Sequence, residues 1–292
     1  MISVMPVRLG FVAILAVAGT LSLHGAAVAQ GAAGSVKLAP HVAVYDLKLT
    51  SSRGKRALES VRGRIVYDFS GSACEGYALN FRQVTELDSG EGKVALSDLR
   101  TATWEEGDGK SFRFKSQNYM DDQQISEVDG KADRQNDDAA VKLSKPEDKR
   151  FDAGKVVFPT EHMRLLIEAA RAGKTLLEVQ VYDGSETGEK IYQSLSVIGH
   201  RIEPDKKPED AAAGTDALAG LARWPVTISY FDKTQKKSEK PEDQLGEQTP
   251  IYAISFEMYE NGISRALKLD YGDFVIDGKM TSLEVKPANA CK

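Results

Sequence analysis

Apolar and polar residues alternate with a period of two along most of this chain. Ala43, Tyr45, Leu47 and Leu49 alternate with Val44, Asp46 and Lys48. Val61, Ile65, Tyr67 and Phe69 alternate with Arg62, Arg64 and Asp68, and Tyr77, Leu79 and Phe81 with Asn80 and Arg82. The pattern returns at Phe112 and Phe114, at Leu177, Val179 and Val181, and at Val226, Ile228 and Tyr230. It closes with Tyr252, Ile254, Phe256 and Met258, then Ile263, Leu267, Leu269 and Tyr271. Successive side chains of a strand point to opposite faces, so this rhythm predicts strands with one buried and one wet face.

The punctuation agrees. Asp129-Gly130, Asp183-Gly184, Asn261-Gly262 and Asp277-Gly278 tolerate positive φ and read as turns. Gly107-Asp108-Gly109-Lys110 reads as a hairpin tip, and Asn261-Gly262 joins 251–259 to 263–271 in a hairpin. Strands joined by tight turns pair with their sequence neighbours. The expected fold is mainly β: a many-stranded antiparallel meander that curls or closes rather than staying flat.

One helix is expected at about 160–172. Thr160 is placed to cap it, Glu161 complements its positive end, and Gly173 suits the left-handed residue beyond it. Met163, Leu166, Ile167 and Ala170 form its single apolar face. Residues 203–221 and 233–249 are charged and read as loops, with a short helix available at 211–221. No internal repeat and no clean linker divides the chain, so 30–292 is expected to be one domain.

Residues 1–29 read as a secretory signal peptide. Arg8 precedes the apolar run from Leu9 to Ala18, and Ala27-Val28-Ala29 supplies the small residues for cleavage before Gln30. The run is short for a bilayer crossing, which takes about 20 residues. Cleavage removes one arginine and no acid, moving the formal charge from −5 to −6 over the remaining 263 residues. The expected location is the periplasm, where disulfides persist. The two cysteines, Cys74 and Cys291, allow a single pairing; two unpaired buried thiols are the alternative.

Composition is that of an ordinary globular protein: 41% hydrophobic and 28% charged, with Asp and Glu outnumbering Lys and Arg by 43 to 38. A mildly acidic chain with no long basic block disfavours nucleic acid as a partner. No catalytic motif stands out. Gly184-Ser185-Glu186-Thr187-Gly188 has its serine one place early for a nucleophile elbow and reads as a turn. His41, His162 and His200 lack a histidine partner at helical spacing, so no metal site and no cofactor is expected. His162 beside Glu161 is the one acid–base pair on offer, but consecutive helical residues do not face one another. Asp121-Asp122, Asp137-Asp138 and Glu105-Glu106 read as turn or strand-end acids. Trp104, Trp224 with Pro225, and Tyr230-Phe231 read as core. What remains is shape: the concave apolar face of a curled sheet can hold a lipid chain, and its rim can meet a protein partner.

These motifs together resemble the EipB-like family of periplasmic cell-envelope integrity proteins of alphaproteobacteria. The resemblance rests on Leu38-Ala39-Pro40-His41, Ala43-Val44-Tyr45-Asp46-Leu47 and Cys74-Glu75-Gly76-Tyr77. It continues in Phe158-Pro159-Thr160-Glu161-His162-Met163, Tyr182-Asp183-Gly184-Ser185 and Trp224-Pro225-Val226. It ends in Tyr259-Glu260-Asn261-Gly262, Leu269-Asp270-Tyr271-Gly272-Asp273-Phe274 and Cys291. It implies an open, spiral-like β-barrel, one disulfide joining Cys74 and Cys291, and a non-enzymatic role in envelope integrity with no catalytic residues. A periplasmic or envelope protein partner is the expected ligand class, and a lipid or lipoprotein acyl chain the alternative.

Overall fold

Alternating side chains give the backbone one apolar face per strand, and fourteen strands pool those faces in a single sheet. The computed structural model describes residues 36–53, 58–90, 92, 94–233 and 249–287. The expected signal peptide, Cys291 and most of 233–249 lie outside the described residues. Strands β1 (His41–Ser52), β2 (Ser60–Ser72), β3 (Gly76–Asp88), β4 (Val94–Glu105), β5 (Ser111–Met120), β6 (Gln123–Gln135), β7 (Asp138–Lys145) and β8 (Lys149–Gly154) form the first run. Helix α1 (Pro159–Arg171) follows, then β9 (Leu176–Val181), β10 (Tyr192–Ile198), β11 (Arg223–Asp232), β12 (Tyr252–Tyr259), β13 (Ser264–Asp270) and β14 (Phe274–Val285).

The strand order is β8-β7-β6-β5-β4-β3-β2-β1-β14-β13-β12-β11-β10-β9. Every neighbour but one is also a sequence neighbour; the exception is β1 on β14, which joins the two ends of the described chain. The sheet is antiparallel throughout and does not close into a barrel: edge strands β8 and β9 do not pair. Among the described residues a parallel bridge ties the edges, between Val157, beyond β8, and Val181, the last residue of β9, with Val157 N donating to Gln180 O and Tyr182 N donating to Val157 O.

The curl follows from what α1 touches. Leu166, Ile167 and Ala170 pack in one cluster with Phe69 and Tyr77 from β2 and β3 and with Trp224, Val226 and Met258 from β11 and β12. Those strand groups lie on opposite sides of β1, β14 and β13 in the order, so the sheet bends around the helix to reach it from both sides. A second cluster joins Tyr45, Leu47, Ile65, Ile276 and Met280 to Ala213 and Leu218. The 203–221 segment is therefore not a wholly solvated loop. It holds a single 3-10 turn at Ala211–Ala213, and its Asp210 carboxylate accepts from Arg265 Nε at 3.1 Å, with both side chains buried. A third cluster packs the β9–β10 connection, through Tyr182 and Ile191, onto Phe112, Phe114, Val128 and Leu143.

Two expected turns are strand interiors. Asp129-Gly130 lies within β6 and Asp277-Gly278 within β14. A Cβ on Gly130 would stand 2.7 Å from the Phe114 ring, and one on Gly278 would stand 3.0 Å from Leu267 and 3.2 Å from Leu47. These glycines let large side chains of adjoining strands close over the backbone, the other use of a strand glycine. Asn261-Gly262 and Gly107-Asp108-Gly109-Lys110 do turn the chain, as their sequences predict.

Candidate functional site

Helix α1 starts without a cap of its own. Thr160, expected at the cap, lies inside the helix; Phe158 stands at the N-cap with no side-chain bond, and Pro159 opens the first turn. The exposed N–H groups of the first turn must find acceptors. They find Glu105, at the end of β4, whose two carboxylate oxygens accept from Thr160 N at 2.7 Å and Glu161 N at 2.8 Å. Glu105 is 3% exposed, and burial pushes its carboxyl up to about 7 against the pull of those donors. It is thus a structural acid of the fold and not the solvated strand-end residue its sequence context predicts. The available signal was its place in the row Thr101, Thr103, Glu105, which alternates with Ala102 and Trp104.

Arg134 of β6 closes the same corner. Its Nη2 donates to Glu161 Oε2 and to Val156 O, each at 2.8 Å, and its guanidinium lies 4.9 Å above the Phe158 ring. His162 is buried beside this network without joining it. Its Nε2 has no hydrogen-bond partner, and burial alone drives its pKa down to about 4, so the ring is neutral at physiological pH.

A second cluster lies on the β9–β10 connection. Asp183 accepts from Ser185 N at 2.9 Å, and burial raises its carboxyl above the ordinary range. Tyr192 O–H donates to Glu186 and lies 3.0 Å from the Ser185 hydroxyl. From Tyr192 of β10 a ladder of rings runs to the start of β14: an edge contact to Tyr230, then Tyr230 stacked on Tyr252 at 5.1 Å, Tyr252 on Tyr271 at 5.9 Å, and Tyr271 beside Phe274. Burial raises the hydroxyl pKa of all four tyrosines, which leaves them as neutral donors. No charge interaction joins His162 to Asp183 among the described residues: burial alone shifts His162, and Asp183 interacts with Ser185 and Glu186.

The other sequence candidates separate cleanly. Asp121 and Asp122 form the β5–β6 turn at positive φ, with Asp121 Oδ1 accepting from Leu96 N. Asp137 pairs with Lys155 in the open. Trp224 is core, whereas Trp104 is only half-buried and faces away from Glu105. His41 is buried against Tyr67 and Phe69, where burial lowers its pKa. Cys74 is exposed in the turn after β2. Among the described residues no group of three or more His, Cys, Asp or Glu side chains could hold a metal ion, and no helix is long and apolar enough to cross a membrane.

One antiparallel meander bent around a helix, with its edges tied by a single bridge, defines an unclosed β-barrel-like protein. The chain belongs to the EipB-like family, whose model matches residues 32–287. It is 38% identical over 261 residues, 89% of either chain, to the cell envelope integrity protein EipB of Brucella abortus (strain 2308). It is also similar to the crystal structure of a β-barrel-like protein of a domain of unknown function from Brucella abortus. That likeness has a TM-score of 0.77 at 37% identity and covers 86% of this chain and 100% of the other.

Proposed function

We propose that this protein is a non-enzymatic periplasmic factor that supports cell-envelope integrity by binding a protein or envelope component, and that a Cys74–Cys291 disulfide stabilises it. The observation that carries the reading is the 38% identity, over nearly the whole chain, to a protein named for envelope integrity. The site chemistry agrees with a binding role. Both oxygens of Glu105 are spent on the start of α1, and His162 has no acid to orient it. The disulfide is supported by strand directions: β2 and β14 run the same way on either side of β1, and each is followed in the sequence by one of the two cysteines. Deleting the gene in its host and complementing it with the triple variant Glu105→Gln, His162→Gln, Asp183→Asn tests the reading. Restored resistance to detergent and osmotic stress is the expected result. Failure of a stably folded triple variant to complement points to catalysis.

A lipid or lipoprotein acyl chain is the alternative ligand. Tyr67, Leu79, Tyr230, Ile254 and Phe256 pack against the α1 cluster yet stay only half-buried, leaving apolar surface within the curl. Native mass spectrometry of protein taken gently from the periplasm separates the readings: a retained acyl mass favours the carrier.

A further inference from the structure

The face of β4–β8 turned away from Glu105 carries an unusual row. Trp104 lies opposite Arg113, Arg113 opposite Lys131, Lys131 opposite Lys142, and Lys142 opposite Arg150. Four cations therefore stand side by side on four consecutive strands, about 4.8 Å apart, in a line about 14 Å long. All four are exposed. Like charges directly opposite one another destabilise a sheet, so folding stability does not account for this arrangement. Only Lys131 has a carboxylate at ion-pair distance, from Asp133; Arg113, Lys142 and Arg150 form no ion pair among the described residues. The concentration of positive charge is the more telling on a chain of net charge −5.

Trp104, Arg113, Lys115, Lys131 and Lys142 line a groove of about 510 Å³, in which Asp129 is the one acid. The Trp104 ring is held at the head of the groove by the Arg113 guanidinium, 5.2 Å from its centroid, and by Gly76, where an added Cβ would stand 2.7 Å from the ring. An indole beside a line of cations, of which Lys131 is paired with Asp133, suits a ligand with both apolar ring faces and regularly spaced oxyanions. Strands β4–β7 are paired on both sides, so the groove offers no free backbone edge for an extended peptide.

We propose that the groove lined by Trp104, Arg113, Lys131 and Lys142, with Arg150 next in the row beyond it, binds a linear anionic glycan, its carboxylate or phosphate groups on the cations and a sugar ring against the indole. The inference rests on the reading of this protein as an envelope-binding factor and names the ligand class. Calorimetric titration of the purified protein tests it with four probes: oligogalacturonate, its neutral methyl ester, a phosphorylated mannan oligosaccharide, and phosphatidylglycerol vesicles. At least one charged glycan should bind, more weakly as salt is added, and the neutral ester should not. Which of the two binds distinguishes carboxylate from phosphate. Arg113→Gln and Lys142→Gln should each weaken binding about tenfold without lowering the thermal melt, since each removes one of the opposed like charges. Trp104→Leu should weaken glycan binding but not the binding of inorganic polyphosphate, which has no ring to stack. The inference is overturned if neither charged glycan binds, if the ester binds equally, if the vesicles bind in place of the glycans, or if the cation variants bind normally. Absent glycan binding alongside intact complementation by the wild-type copy rejects this inference alone; failed complementation by that copy rejects the proposed role.

Discussion

Lys286 Nζ donates to Asp68 Oδ1 at 2.6 Å, although 218 positions separate the two residues in the chain. The pair spans β1: Phe69 and Val285 both face His41 from opposite sides, and Lys286 N donates to Pro40 O at 2.8 Å. The last described strand is thus locked beside the first two at one end of the sheet.

In the sequence the two cysteines of the proposed disulfide follow the strands so locked, Cys74 five residues past Phe69 and Cys291 six past Val285. Closing so long a loop stabilises by about 2–5 kcal/mol, chiefly by restricting the unfolded chain. Cys74→Ser and Cys291→Ser should lower the melting temperature equally, and dithiothreitol should lower that of the wild type but not of either variant. Recovery of two free thiols from native protein, or identical melts with and without reductant, would refute the pairing.

Glu105 and His162 should give opposing pH dependences. The carboxyl pKa rises from 4.5 to about 7 on folding, so its stabilisation is complete below 4.5 and disappears as pH climbs to about 7. The imidazole pKa falls from 6.5 to about 4, so its contribution is complete above 6.5 and disappears as pH drops toward 4. Each slope is at most about 1.4 kcal/mol per pH unit, and between 4.5 and 6.5 they cancel. Glu105→Gln should make stability rise with pH across that window, and His162→Gln should make it fall. Urea denaturation from pH 4.5 to 7 reads both; parallel profiles in the two variants would contradict the assignment.

Gly184 should resist substitution. Its φ is +67°, and an added Cβ would stand 2.3 Å from the Phe114 ring. Gly184→Ala should cost about 1–3 kcal/mol by chemical denaturation, from overpacking and left-handed strain together. Phe114→Leu in the same chain should recover the packing share only, giving a non-additive double-mutant cycle.

The 203–221 segment is anchored electrostatically. Arg265 is shared between Asp210 and Glu257, and Glu257 also accepts from Arg223 Nε. Asp210→Ala removes the ion pair that ties the segment to Arg265, while Glu257 keeps Arg265 paired. Limited proteolysis should then cut first within 203–221, with a stability loss below the roughly 3–5 kcal/mol of a fully broken buried pair. An unchanged cleavage map would show that Ala213 and Leu218, with the bond from Arg223 Nη1 to Lys206 O, hold the segment without Asp210.

The amino-acid sequence alone determined the β class, the meander, the helix and its apolar face, because alternation and helical spacing are properties of neighbouring residues. The Asn261-Gly262 turn was legible for the same reason, and the identical chemistry of Asp277-Gly278 misled, because nothing local reveals that Leu47 and Leu267 need the space at Gly278. Tertiary structure alone decided that Glu105 of β4 would start α1, 55 positions away, and that the sheet would bend to hold that helix from both sides. It also decided the register that lines up Arg113, Lys131, Lys142 and Arg150. A strand's own sequence says which face each residue takes. Only pairing says which residue of the next strand stands beside it, and charge and ligand geometry are set by that second relation.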